Sequence, residues 1–119
     1  MKKINVAVAG FPNKLAMSVA EAVCQSSDMK LFGNGLSESD FANRHLKIAC
    51  TYMDMYNGDR MSLFFQQDLP DVLVDCFSSN NGERDKLFTG SKIPLIVVGL
   101  ELTVEEILES IRELSKVTV

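Results

Sequence analysis

Residues 6–16 read VAVAGFPNKLA, an apolar run that stops on Gly10, passes through Phe11-Pro12-Asn13 and enters a helical pattern at Lys14. Ile4 to Ala9 alternates and then saturates with apolar side chains, which predicts a strand buried on both faces. From Asn13 to about Ser26, Leu15, Val19, Ala20 and Val23 recur at helical spacing. A buried strand, a glycine turn and a helix are the opening unit of nucleotide-binding α/β folds. In those folds phosphate rests on the amides at the helix N-terminus.

The usual glycine pattern is G-x-x-G-x-x-G or G-x-G-x-x-G. Here only Gly10 remains, with Asn13 and Ala16 at the other two places of the first spacing. Asn tolerates left-handed backbone and Ala is the smallest packing substitute, so the chain path can survive. Pro12 removes an amide donor, Asn13 fills space a phosphate would use, and Lys14 offers a compensating charge. A plain strand-to-helix turn explains the segment equally well.

Further along, Met29 to Phe32 predicts a short strand ended by Gly33-Asn34-Gly35, followed by a polar loop. Leu46 to Tyr52 has strand character, and Arg60 to Gln67 looks helical after Asn57-Gly58-Asp59. Asp71 to Phe77 and Ile93 to Val98 read as buried strands, with a helix over Asn80 to Phe88 between them. Thr103-Val104-Glu105-Glu106 is a capping box that starts a helix reaching about Leu114, and Lys116 to Val119 has the character of a further strand. Alternating strands and helices predict one α/β domain over residues 1–119, a three-layer Rossmann-like domain with a mainly parallel sheet.

Composition narrows the function classes. The chain has 119 residues, 46% hydrophobic, with 12 basic and 16 acidic side chains intermixed and a net charge of −4. That balance gives no footprint for nucleic acid. No apolar run approaches the roughly 20 residues that span a bilayer, and no signal-peptide core follows Lys2-Lys3, so a cytoplasmic location is expected. Cys24, Cys50 and Cys76 are odd in number and widely spaced, and His45 is the sole histidine. Neither a zinc site nor a disulfide framework is expected from them. Cys76 is read as a buried small residue in preference to a reactive thiol, and His45 as a surface residue.

An acidic residue closing the second strand normally holds the adenosine ribose of NAD. This strand ends LFGNG, leaving Asn34 as the nearest polar side chain, with Glu38 and Asp40 expected to face solvent. Ser37, Ser39 and Arg44 are candidates for a 2′-phosphate. A receiver-like reading, with Asp75 as phosphoacceptor and Lys92 as its basic partner, lacks the acidic pair after the first strand.

INVAVAGFPNKLAMSVAEAV, SSDMKLFG, PDVLVDCFSS and IPLIVVGLELTVEEILESI together resemble, in order and spacing, the N-terminal domain of dihydrodipicolinate reductase. That family supplies NAD(P)H-dependent reduction in diaminopimelate and lysine synthesis. The resemblance implies a cofactor site with Gly10, Asn13, Lys14 and Leu15 at the pyrophosphate turn. Phe77 and Ser78 would stand at the fourth-strand tip and Gly99 at the fifth, beside Asn34, the polar residue already read from the sequence as the cofactor-binding candidate after the second strand. The family's G-T-T-G-like turn is replaced by Gly99-Leu100-Glu101-Leu102, and its histidine-pair and lysine catalytic half has no counterpart here. The resemblance therefore implies a module that binds NADPH or NADH weakly, with no cofactor at all an equal alternative, and not a reductase complete in itself. The second reading is a non-catalytic, degenerate Rossmann domain acting through a homodimer or a partner protein.

Overall fold

The computed structural model describes residues 2–39, 45–78, 82–98 and 102–117. Strand β1 (Ile4–Phe11) is flanked on one side by two short strands, β2 (Met29–Leu31) and β3 (Asn34–Ser37), and on the other by β6 (Val72–Asp75). β2 pairs with the first half of β1 and β3 with its end, so they act as one strand broken at Phe32-Gly33. β5 (Thr51–Tyr56) lies parallel to β3, β4 (His45–Ile48) is antiparallel to β5 at one edge, and β7 (Leu95–Val97) lies parallel to β6 at the other. Among the described residues the result is a seven-stranded, mostly parallel sheet with four α-helices.

Alternation along β1 assigns the helices to faces. Val6 and Val8 meet α1 (Lys14–Gln25) through Ala16, Val19, Ala20 and Val23, and α4 (Val104–Val117) through Ile107 and Ile111. Ala7 and Ala9 point the other way, to α2 (Met61–Phe64) and α3 (Gly82–Gly90). Small side chains on that face leave room for Phe64 and Phe88, both essentially fully buried. The capping box forms: the Thr103 hydroxyl accepts from the Glu106 amide at 3.2 Å, and the Thr103 amide donates to the Glu106 carboxylate at 3.1 Å.

Several expectations are corrected. The second strand does not stop at Gly33-Asn34-Gly35; it resumes at Asn34 and runs to Ser37. Glycine at position 35 is a packing requirement, because a Cβ there would stand 2.5 Å from the Met53 sulfur and 3.0 Å from the Phe11 ring. Leu46 to Tyr52 is a hairpin and not one strand, turning at Ala49-Cys50 with Ala49 at φ 53°. A turn without Gly, Pro or Asn carries no ordinary sequence signal. Helix α2 is a single turn preceded by a 3₁₀ turn over Gly58–Arg60. Lys116 and Val117 complete α4 and begin no strand, while residues 118–119 lie outside the described residues.

The cysteine expectation also fails. Cys24, near the end of α1, is bonded to Cys50 in the hairpin turn, with Cα atoms 6.0 Å apart and a sequence separation of 26. Wide spacing hid the pair because the hairpin that returns Cys50 to α1 was not foreseen.

Candidate functional site

The C-terminal ends of β1, β3 and β6 converge on the first residues of α1. Gly10 is the point where the β1–β3 register shifts, with φ +114°, a region L side chains rarely adopt. A Cβ on it would lie 2.7 Å from the Cys76 carbonyl carbon and 2.9 Å from the Phe77 amide nitrogen. The glycine is therefore demanded by close approach of the chain's own β6 end.

Asn13 caps α1, its Oδ1 accepting from the Ala16 amide at 2.8 Å. Its Nδ2 donates to the Cys76 carbonyl at 2.7 Å and to Glu38 Oε1 at 2.9 Å. Glu38 follows β3, anchored by its own amide to the Phe11 carbonyl at 2.7 Å. Its carboxylate also accepts from the Ser78 amide at 2.5 Å and from the Ser78 hydroxyl at 3.1 Å. One carboxylate thus ties the capping residue of α1 to the segment after β6 and sets a negative charge beside that helix end.

Below it, Asp75 is only 6% exposed and accepts from the Phe77 amide at 3.0 Å. Burial raises its carboxyl above the ordinary range, opposed by that hydrogen bond and by the charge of Arg84. Arg84, on α3 and 8% exposed, lays its guanidinium 3.9 Å from the Phe77 ring centre. Burial, with Asp75 and Glu38 nearby, pushes the Cys76 thiol up to about 12, so it stays protonated and is no nucleophile at neutral pH.

Of the residues singled out from sequence, Gly10, Asn13, Phe77 and Ser78 come together here. Lys14 is exposed in the first turn of α1, and Leu15 leans on the core. Asn34 is not at a strand tip, since it opens β3 and pairs in register with Asp54. Ser37 is buried with its hydroxyl donated to the Ser39 carbonyl, so it is not presented to a 2′-phosphate. Gly99, Leu100, Glu101, Asp40 and Arg44 lie outside the described residues. Lys92 precedes β7 at the end opposite Asp75, whose register partner is Val97, so the receiver-like pair is not assembled. Glu38 is the residue that sequence reasoning missed: ending the strand at Phe32 left it in a loop, whereas continuing the strand to Ser37 puts it at the tip.

Among the described residues no cluster of His, Cys, Asp and Glu could hold a metal ion, and no helix is long and apolar enough to cross a membrane. No protein-family model matches the chain, and no curated protein matches it in sequence.

Proposed function

We propose that this chain is a non-catalytic α/β domain of three-layer Rossmann type, with its nucleotide crevice closed by Glu38, and that it acts through protein–protein contacts. The observation that carries this reading is the Glu38 carboxylate on Asn13 and Ser78. In nucleotide-binding folds of this architecture, phosphate oxygens take the amides at the helix N-terminus. Here the Ala16 amide donates to the Asn13 side chain and Glu38 holds Asn13 and Ser78, so a pyrophosphate brought to the turn would meet a carboxylate and like-charge repulsion.

Strand order supports the Rossmann assignment. With β2 and β3 counted as one broken strand, β5, β3, β1, β6 and β7 follow the order 3-2-1-4-5, and the crevice falls where that order reverses, between β1 and β6. On this reading the resemblance to the reductase extends to the architecture of its cofactor half and not to its chemistry. The Cys24–Cys50 disulfide supports an oxidising compartment over the cytoplasm.

The competing reading, a weak NADPH- or NADH-binding module, draws on Lys14, exposed at the first turn of α1. Calorimetric titration with both cofactors into the millimolar range separates the two. No saturable heat is expected from the wild type. Saturable binding that weakens in Lys14→Ala would overturn the proposal and restore the cofactor reading.

A further inference from the structure

β7 ends the sheet, and among the described residues nothing pairs with its outer side. Toward β6, the Pro94 carbonyl accepts from the Leu73 amide at 2.9 Å and the Val98 amide donates to the Asp75 carbonyl at 3.1 Å. Successive residues of a strand alternate the sides to which their peptide groups point. Leu95 and Val97 therefore direct both N–H and C=O outward.

Edge strands are ordinarily blunted by charge, proline, a bulge or a cover. The opposite edge, β4, carries exposed His45 and Lys47. β7 is Leu-Ile-Val, three residues long and without a charged side chain of its own.

Beside this edge a groove of about 590 Å³ runs between β7 and α4, lined by the three residues of β7, of which Ile96 faces α4 while Leu95 packs toward the other face of the sheet, by Leu102 and Leu114, and by Glu109 and Glu113 on its helical wall. Val97 is 66% exposed and Leu102 36%. α4 carries Glu105, Glu106, Glu109 and Glu113 against Arg112 and Lys116. Arg112 is shared between Glu109 and Asp28, and Lys116 stands 3.6 Å from Glu113 with both side chains largely exposed. Glu109 and Glu113 each have a basic neighbour, yet over the whole helix four carboxylates stand against two cations, one of them shared with Asp28, so α4 keeps an acidic excess.

We propose, building on the protein-contact reading above, that β7 docks an extended segment of a partner protein by strand addition. Apolar side chains at alternate positions of that segment would enter the β7–α4 groove, and a flanking Lys or Arg would meet Glu109 and Glu113. The outward peptide groups of Leu95 and Val97 select an extended backbone, and the acidic wall selects a basic flank. A second copy fits less well: two-fold pairing of β7 with itself sets the acidic α4 walls of both copies side by side.

The test uses fluorescence anisotropy with a labelled peptide that has valine at alternate positions, threonine between them and a lysine at each end. Saturable binding is expected, weakened about tenfold or more when the terminal lysines become glutamates or when Glu113→Lys inverts the wall. N-methylation of alternate peptide nitrogens, which leaves the charge unchanged, should abolish it, as should Val97→Lys in a chain whose circular dichroism is unaltered. No saturation by about 1 mM, or equal binding by the N-methylated peptide or by Val97→Lys, would overturn the inference. So would a dimer in sedimentation velocity that Val97→Lys dissociates, because the edge would then belong to a second copy. Each of these failures leaves the absence of cofactor binding, and with it the closed-crevice reading, to be judged by its own titration.

Discussion

At the tips of β1, β3 and β6 the chain supplies partners for its own polar groups, whereas along the outer side of β7 it leaves peptide groups directed away from the sheet. Asn13, Glu38 and Ser78 satisfy one another across three elements. Leu95 and Val97 turn their peptide groups outward instead, and the groove beside their strand has an acidic helix as its wall. The β4 edge gives a third point of reference, since its turn is bonded to α1 through Cys24–Cys50. Fold resemblance draws the eye to the crevice, but the physical state of the two regions points the other way. A region whose hydrogen bonds are made internally has little left to offer a ligand without first breaking them.

The strongest way to break this comparison is at Gly10. Gly10→Ala puts a Cβ against the β6 backbone at a left-handed φ, and neither can move aside cheaply. The expected cost is about 3 kcal/mol or more, read from the urea midpoint. Gly33→Ala is the control, with nothing within 4 Å of its Cβ and no positive φ, and is expected to shift stability by less than about 0.5 kcal/mol. Equal effects at the two sites would mean that the crevice is not tightly closed by the chain itself.

Closure of the β4 edge is tested by the double variant Cys24→Ser, Cys50→Ser. Its loop spans 26 residues, and releasing it is expected to cost about 2–4 kcal/mol. Loss of stability on adding a reductant to the wild type, and none in the double variant, is the matching check. If the reductant has no effect on the wild type, the β4 edge is held by its pairing alone.

The two regions were unequally legible in the sequence. The apolar alternation of β1, the helical spacing of α1 and the capping box of α4 are local patterns, and each forms where the residues predict it. Glu38 and Cys50 depend on chain returns that local patterns do not encode. Glu38 reaches the crevice because β3 resumes after Gly33, and Gly35 reads as a turn residue although it is there to clear Met53 and Phe11. Cys50 reaches Cys24 through a hairpin whose turn contains neither glycine nor proline. The openness of β7 was not legible either, because an edge is defined by what lies beside a strand and not by the strand itself.

Glu38→Ala sharpens the crevice side of the comparison. It removes a carboxylate that accepts three hydrogen bonds but stays exposed, so the expected loss is about 1 kcal/mol. Faster amide exchange should appear at Ser78 and leave β7 unchanged. Spread of the effect to β7 would show that the two regions are coupled.

A smaller, pH-dependent effect is expected at the foot of α4. The hydrogen bonds from Arg112, at 2.7 Å and 3.3 Å, hold the Asp28 carboxyl below its usual range. A carboxyl lowered by folding adds stability above its unfolded value of about 3.9 and loses it as pH falls through the folded value. Both side chains are partly exposed, so Arg112→Met should cost less than about 1 kcal/mol near pH 7. The difference from wild type should shrink below about pH 4, measured by urea unfolding across that range. A difference constant with pH would assign the role of Arg112 to packing.

The smallest effect is expected at the position that matters most for the proposed docking. Val97 is 66% exposed on a strand whose outer side is unpaired among the described residues, so Val97→Lys removes little buried area and breaks no described hydrogen bond. Its unfolding free energy should stay within about 0.5 kcal/mol of wild type, and a charge on the edge should, if anything, improve solubility. A residue that contributes nothing to the fold yet keeps an apolar edge exposed is a cost that packing does not explain. Were Val97→Lys strongly destabilising, the edge would be covered in the folded chain, and the contrast with the crevice would disappear.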